Sequence, residues 1–339
     1  MDNLTHTLTA IAISQTGLNR RTRFATWTLV LGANLPDIDA VAGFKDSLTY
    51  LKYHRGITHS FAGVIALAII LWGLMSWMGK RIPAKSGPPL NPRWLLLAAL
   101  LGTGSHLLLD FTNSYGVRLF LPFSSRWYAW DIMFIFDPVL LLLLILGLGV
   151  PWLLRLISEE VGARKGGSTF GAAFCLAALV AVWGIRDFAH RRALSILDAR
   201  TYSGESPQRF SALPVPANPF EWRGVVETEA SFQVVDVDAL DANASPEDLG
   251  RFDKPPSSPA LSAALKTPGA KVFLNFARFP WAHVDEREEG YQVSVQDLRF
   301  YRPSTQSRGF TLEVELDKNL VSRDQRFYFN APPGGGRER

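Results

Sequence analysis

Cysteine occurs once in 339 residues, at Cys175, inside an apolar run. A single thiol excludes an internal disulfide and makes a cysteine-built zinc site implausible, while saying little about compartment. Histidine is scarce as well, with six in the chain. The opening Met1-Asp2-Asn3-Leu4-Thr5-His6 lacks a basic n-region and a small-residue cleavage pattern, so it does not read as a cleaved signal peptide. No internal repeat is visible. Charge is missing altogether from Phe61 to Met78, a run long enough to cross a bilayer.

What is present divides unevenly. The apolar fraction of 47% averages two unlike halves. Up to about Arg192 the chain is dominated by Leu, Ala, Ile, Trp and Gly; from about Ser195 it is polar, with short β-prone runs. Six apolar runs are legible in the first half: residues 1–17, Phe24 to Val41, Phe61 to Met78, Trp94 to Phe111, Pro138 to Ile157, and Thr169 to Ile185. The expected fold is therefore an α-helical polytopic membrane bundle of about five to six helices, followed by a small, mostly antiparallel β domain. The expected organisation is a membrane domain over 1–192, a linker over 193–222, a β domain over 223–330 and a disordered tail over 331–339. Within the β domain, Val225 to Val237, Lys271 to Phe276, Tyr291 to Tyr301 and Phe310 to Leu316 read as strands, and Pro246 to Pro259 as loop.

The net charge of +4 does not point to nucleic acid, because the basic residues sit at the ends of apolar runs. Arg20, Arg21, Arg23, Lys80, Arg81, Lys85, Arg93, Arg155, Arg164 and Lys165 fall on one side of the alternating topology. Lys45, Lys52, Arg55, Arg118 and Arg126 fall on the other. The bias assigns the first side to the cytoplasm and the polar domain to the opposite side.

Ionisable residues at the ends of membrane helices are costly unless they have a task. His6 starts the first run, Asp37 and Asp39 end the second, and His54 and His59 precede the third. His106 and Asp110 leave the fourth, and Asp131 and Asp137 precede the fifth. All of them map to one layer, the expected extracytoplasmic end. His106 and Asp110, four apart, share a helix face. Imidazole and carboxylate together suit Zn²⁺ or Mn²⁺, although a buried His–Asp hydrogen bond would use the same spacing. Arg55, between two histidines, suits a phosphate or carboxylate on a substrate. Asp37 and Asp39 read as ligand, base or solvated loop acids, Asp131 as ligand or surface acid, and His6 as ligand or packing residue. Asp137 before Pro138 also reads as a helix cap. His190 and His283 fall outside the layer, and Trp127, Tyr128 and Trp130 read as an interfacial belt.

Four strings carry a family resemblance: Thr5-His6, Leu35-Pro36-Asp37-Ile38-Asp39, His54-Arg55-Gly56-Ile57-Thr58-His59-Ser60, and Ser105-His106-Leu107-Leu108-Leu109-Asp110. Together they resemble the YdjM-type family of bacterial membrane-bound, metal-dependent hydrolases over about residues 1–160. Their order is also similar to that of the zinc-dependent phospholipase C and P1 nuclease superfamily. That likeness implies a helical metal site that cleaves phosphoesters, with His6, Asp37 or Asp39, His59, His106 and Asp110 as ligands. No His-x-x-x-His-x-x-x-Glu helix follows Asp110, which implies one or two metals rather than three.

The expected function is thus a multi-pass hydrolase of the bacterial inner membrane. It would act at the outer membrane–water interface on a lipid or lipid-linked phosphoester, with membrane lipids as partners and no nucleic acid. The competing expectation is a non-enzymatic membrane protein: a metal or proton transporter, or a structural protein acting through its β domain. A transport path needs ionisable residues through the depth of the bilayer, and the third, fifth and sixth runs have almost none in their middles.

Overall fold

The computed structural model describes residues 1–83, 87–160, 169–241, 246–303 and 308–331. Lys85, Arg164, Lys165 and the tail 332–339 lie outside the described residues. The chain divides into two compact units. The first comprises Met1–Asp39, Arg55–Phe188 and Pro216–Asn218, and the second Ala40–His54, Ala189–Val215 and Pro219–Arg339.

The first unit is helical. Among the described residues, four helices are long and apolar enough to cross a membrane: α4 (Phe61–Arg81), α5 (Pro92–Phe111), α6 (Pro138–Glu160, apolar to Ile157) and α7 (Thr169–Asp198). They correspond to the last four apolar runs. The first run, read as a short helix packed within the bundle, is α1 (Asn3–Gln15) with 13 residues, and the second, expected as a further span, instead builds the short helix α2 (Ala25–Gly32) with 8. At roughly 1.5 Å per residue these reach about 20 and 12 Å, short of the ~30 Å hydrocarbon core. Gly17, at φ 127°, follows the end of α1. After α2, Pro36 has no N–H to extend an α ladder, and Leu35–Phe44 continues as 3₁₀ turns.

Local capping sets where the helices begin. The Asp2 carboxylate accepts from the Thr5 N–H at 2.9 Å, and the Ser60 hydroxyl accepts from the Gly63 N–H at 3.0 Å. Asn91 caps α5, with Pro92 in its first turn. Small residues then set how closely the helices pack. A Cβ on Gly102 of α5 would lie 2.7 Å from the Leu29 carbonyl oxygen of α2, and one on Gly32 would lie 3.2 Å from the Thr103 nitrogen. Backbone therefore meets backbone between α2 and α5, as small residues permit in membrane bundles. Ala10, Leu29, Ala33 and Ala98 form the core of this α1–α2–α5 contact. Ala12, Leu109, Leu140, Leu144 and Cys175 join α1, α5, α6 and α7.

Among the described residues, the second unit has two four-stranded antiparallel sheets. The first runs β1 (Arg209–Pro214), β2 (Glu221–Glu227), β3 (Ser231–Asp238), β4 (Glu247–Asp253), in that spatial order. The second runs β5 (Pro280–Arg287), β6 (Gly290–Asp297), β7 (Gly309–Asp317), β8 (Ser322–Ala331). Helix α3 (Ser47–Tyr53) also belongs to this unit, with the Tyr50 ring edge-on to Phe329 at 5.3 Å. The last turns of α7 pack Ala189, Ala193 and Leu197 against Trp222 and Val235 of the first sheet.

Several local expectations change here. Residues 193–222, read as a linker, hold the end of α7, all of β1 and the start of β2. Residues 246–259, read as loop, supply β4, a strand by virtue of its pairing with β3 rather than its own alternation. Lys271 to Phe276, read as a strand, lies in helix α9 (Pro268–Phe276), which follows α8 (Pro259–Leu265). Thr267 caps α9, Pro268 opens it, and the buried Phe273 and Phe276 fall three apart on one helical face.

Candidate metal centre

Four side chains from three parts of the first unit meet in its interior. His59 ends a 3₁₀ turn, Ile57–His59, immediately before α4. His106 and Asp110 lie on the last turns of α5, and Asp37 lies on the 3₁₀ segment after α2. One ligand atom from each lies within 4.8 Å of all the others. His59, His106 and Asp110 are buried, and Asp37 is partly accessible.

The ring orientations follow from what the second nitrogens touch. His106 Nδ1 lies 2.7 Å from the Ala33 carbonyl oxygen at the end of α2, so it must donate its hydrogen there. The close Gly32–Gly102 packing one residue and one turn away delivers that carbonyl. His59 Nδ1 faces the Asp39 carboxylate at 3.2 Å and the Thr58 hydroxyl at 3.0 Å. Both Nε2 atoms then point inward, 3.0 Å apart. Two neutral imidazoles so arranged present lone pair to lone pair, which requires a proton or a cation between them.

The carboxylates complete a compact set. Asp37 Oδ1 lies 3.4 Å from His59 Nε2 and 3.6 Å from His106 Nε2. Asp110 Oδ2 lies 3.4 and 3.5 Å from the same two atoms and has no hydrogen-bond partner. A tetrahedron of nitrogen and oxygen donors at ~2.0–2.1 Å from an ion has edges of roughly 3.4 Å. Five edges of 3.0 to 3.6 Å lie close to that figure, the unpartnered Asp110 oxygen sits at one vertex, and the donors are the hard-to-borderline N and O types that divalent cations accept. The cluster can therefore hold a metal ion.

A supporting layer surrounds it. The Asp39 carboxylate accepts from the Thr58 hydroxyl at 2.6 Å and from the Arg55 backbone N–H at 3.0 Å. On the other side, Asp110 Oδ1 accepts from Arg55 Nη2 at 2.9 Å and from the Met1 amino group. Arg55 Nη1 donates to Asn113 Oδ1 at 2.9 Å, and the guanidinium lies 4.8 Å from the centre of the Tyr115 ring. His6 stacks on His106 with ring centroids 4.0 Å apart and brings Nε2 to 3.4 Å from Asp110 Oδ1. Neither His6 ring nitrogen makes a hydrogen bond, although the ring is wholly buried.

Titration follows this geometry. Burial opposes a charge on His59, but the carboxylates of Asp110, Asp37 and Asp39 around the ring outweigh it and raise the imidazole to about 10. For Asp37, burial opposes ionisation, yet the adjacent imidazoles of His106 and His59 hold the carboxyl well below the usual carboxylate range. Burial and the neighbouring His106 lower His6 to about 3, so it stays neutral and can donate a lone pair.

Residues 1–191, more than half of the chain, match the family described as "YdjM inner membrane protein". The chain belongs to that family. Residues 259–328 match the "YfhP C-terminal alpha/beta plait domain". The chain is also 24% identical, over 270 residues, to the "Uncharacterized protein YfhP" of Bacillus subtilis (strain 168), covering 79% of this chain and 75% of that protein. No solved structure matches. With four apolar helices among its described residues, this YdjM-family chain is a membrane protein.

The remaining sequence-selected residues are not members of this four-residue group. His54 belongs to the second unit, where its ring stacks on Tyr50 at 4.4 Å. Asp131 is buried on the segment between α5 and α6, with a left-handed φ of 60°. Asp137 caps α6, accepting from the Leu140 N–H at 2.9 Å, and pairs with Arg186 of α7 at 2.6 Å. Neither acid belongs to the four-residue group. His190 Nε2 donates to the Ala212 carbonyl at 3.1 Å, and His283 pairs with Asp285 at 2.9 Å. Because a carbonyl has no hydrogen to give, His190 Nε2 is the donor there.

Sequence reasoning missed Thr58, Asn113 and Tyr115 as supports. Thr58 stood inside the diagnostic string and was legible as a hydroxyl beside a histidine. Asn113 and Tyr115 follow the end of α5, where no periodicity marks them.

Proposed function

We propose that this protein is a membrane-bound, metal-dependent hydrolase, a phosphoesterase acting on a lipid or lipid-linked substrate. The observation that supports it most is the donor set of Asp37, His59, His106 and Asp110, closed to tetrahedral spacing with one member still partly accessible. Zn²⁺ suits that spacing and those donors, and Mn²⁺ is the second choice. A bound divalent cation would supply Lewis acidity, lowering the pKa of a coordinated water and polarising the ester.

The residues of the chain have separable roles in this reading. Asp37, His59, His106 and Asp110 hold the ion, and His6, neutral and unpartnered, is available to a further donor position. Asp39 orients His59 from behind, as a carboxylate behind a ligating imidazole commonly does. Arg55 fixes Asp110 rather than facing outward, so any hold on a substrate anion would use its remaining hydrogen-bonding capacity. Asp37, the most exposed of the four, is the residue best placed to meet incoming substrate and to accept a proton from water.

The bias of basic residues toward the opposite helix ends supports an extracytoplasmic position for the centre, within reach of headgroups. The transporter alternative lacks support, because α4 carries no ionisable residue between His59 and Lys80. Metal analysis after purification without chelators, followed by assays against phosphomonoester, phosphodiester and lipid-phosphate panels, tests the proposal. About one or two equivalents of metal, lost together with hydrolysis in His59→Ala and His106→Ala, is the expected result. A metal-free wild type would sink the idea, and metal without hydrolysis of any panel member would favour transport or structure.

A further inference from the structure

At the opposite ends of the helices that carry the metal centre, two clefts share one arginine. The larger, about 650 Å³, is lined by Ile13, Arg20, Arg21, Trp94, Leu97 and Leu101. The smaller, about 290 Å³, is lined by Arg20, Leu148, Trp152 and Arg155, together with Gln15 and Asn19. Neither lining holds an Asp or Glu among the described residues. Trp94 and His106 are twelve residues apart on α5, so the clefts lie roughly 18 Å along the helix from the centre. They are a separate feature.

Their chemistry is two-sided. Leu97, Leu101 and Trp152 are exposed, on or beside helices that are long and apolar enough to span a bilayer. Above them Arg20 and Arg21 are exposed, and the Arg21 guanidinium lies over the Trp94 ring at 5.3 Å. Arg23, nearby in sequence, is already committed to the Ile82 carbonyl. An apolar wall that meets cations and amphipathic indoles is what a membrane–water boundary demands. A headgroup with no net charge would bring no net countercharge to Arg20 and Arg21. A phosphate with one net negative charge, on two acyl chains, satisfies both parts of the lining.

We infer that these clefts form a binding site for an anionic phospholipid, its headgroup phosphate on Arg20 and Arg21 and its acyl chains against Leu97, Leu101 and Leu148. Basic pockets between membrane helices take anionic headgroups in this way, and a negatively charged cytoplasmic leaflet would supply them. The site needs no metal and does not depend on the proposed reaction.

The test uses the full chain in mixed micelles of phosphatidylglycerol and phosphatidylcholine, with the lipid retained through purification measured by mass spectrometry. The wild type should retain phosphatidylglycerol preferentially. Arg20→Gln should cut the preference by a factor of about five, the usual value of one arginine near an anionic surface, and Arg20→Gln with Arg21→Gln should abolish it. Arg20→Lys with Arg21→Lys should largely restore it, and Lys80→Gln, at the same end but outside the clefts, should leave it unchanged. If the glutamine variants do not fold, the wild type alone decides: its preference should fall as salt screens the headgroup. Equal retention of the two lipids, or a preference indifferent to both salt and the arginines, would overturn the assignment. Displacement by millimolar inorganic phosphate would also overturn it, since the site would then take free phosphate rather than lipid.

Discussion

His59 Nε2 and His106 Nε2 face each other at 3.0 Å while both Nδ1 atoms are engaged elsewhere, on the Asp39 carboxylate and the Ala33 carbonyl. The pair is stable only with a positive charge shared between the rings. In the metal-free protein that charge is a proton on His59, which a bound divalent cation would replace.

Removing a ligand and removing its support should differ in degree. His106→Ala should abolish stoichiometric metal binding, whereas Asp39→Asn should weaken it by roughly 10–100-fold, the usual effect of losing the partner behind a ligating histidine. Titration calorimetry with Zn²⁺ on stripped protein measures both. Equal losses would place Asp39 among the ligands.

The proton on His59 makes a pH prediction. Its folded-state value, about 10, lies above the ordinary ~6.5 of a free histidine. Its contribution to stability is therefore fully present below about pH 6.5 and is lost as pH rises through about 10. Metal-stripped protein should melt at progressively lower temperature across that window, and the decline should vanish when Zn²⁺ is bound. A His59→Gln protein with the same decline would show that another group is responsible.

Arg55 should matter for stability even before chemistry. Arg55→Ala strips Asp110 of a buried partner and should cost about 3–5 kcal/mol, the range for breaking a buried ion pair. Arg55→Lys keeps the charge but loses the two-pronged grip on Asp110 and Asn113, so it should fall between the two. Chemical denaturation in detergent gives the ranking.

Two glycines on α5 provide a matched pair. Gly102→Ala places a methyl carbon 2.7 Å from the Leu29 carbonyl oxygen, while Gly104→Ala meets nothing within 4 Å. The first should cost about 1–3 kcal/mol as overpacking and weaken metal binding, because α2 carries the Ala33 carbonyl that orients His106. The second should be neutral, or stabilise by up to about 1 kcal/mol through helix propensity. Thermal melts with parallel metal titrations would refute this if the two variants behaved alike.

The membrane character and the existence of a His/Asp cluster could be read from the amino-acid sequence alone. Both rest on local or additive properties: an uncharged run such as Phe61 to Met78 has few soluble fates, and His106 and Asp110 share a face at any i, i+4 spacing. The number of spans could not be read that way. Residues 24–41 are apolar enough to qualify, and only the interruption at Pro36, with α2 packed backbone to backbone on α5, makes a short helix of them.

The division of labour within the cluster was settled by tertiary structure too. An extended chain after Pro36 would have aimed Asp37 and Asp39 the same way. The 3₁₀ turn that forms instead rotates each residue by about 120°, sending Asp37 to the inner nitrogens and Asp39 to the outer one of His59. Arg55 and Asp137 tell the same story, since a charged side chain announces that it needs a partner but not which one. Arg55 found Asp110, 55 residues away, and Asp137 found Arg186, 49 away. Such pairings depend on which helix ends arrive at the same depth, and sequence spacing does not encode that. Residue chemistry thus specified a membrane bundle with histidines and carboxylates able to bind a cation, and helix packing decided which atoms face inward to do so.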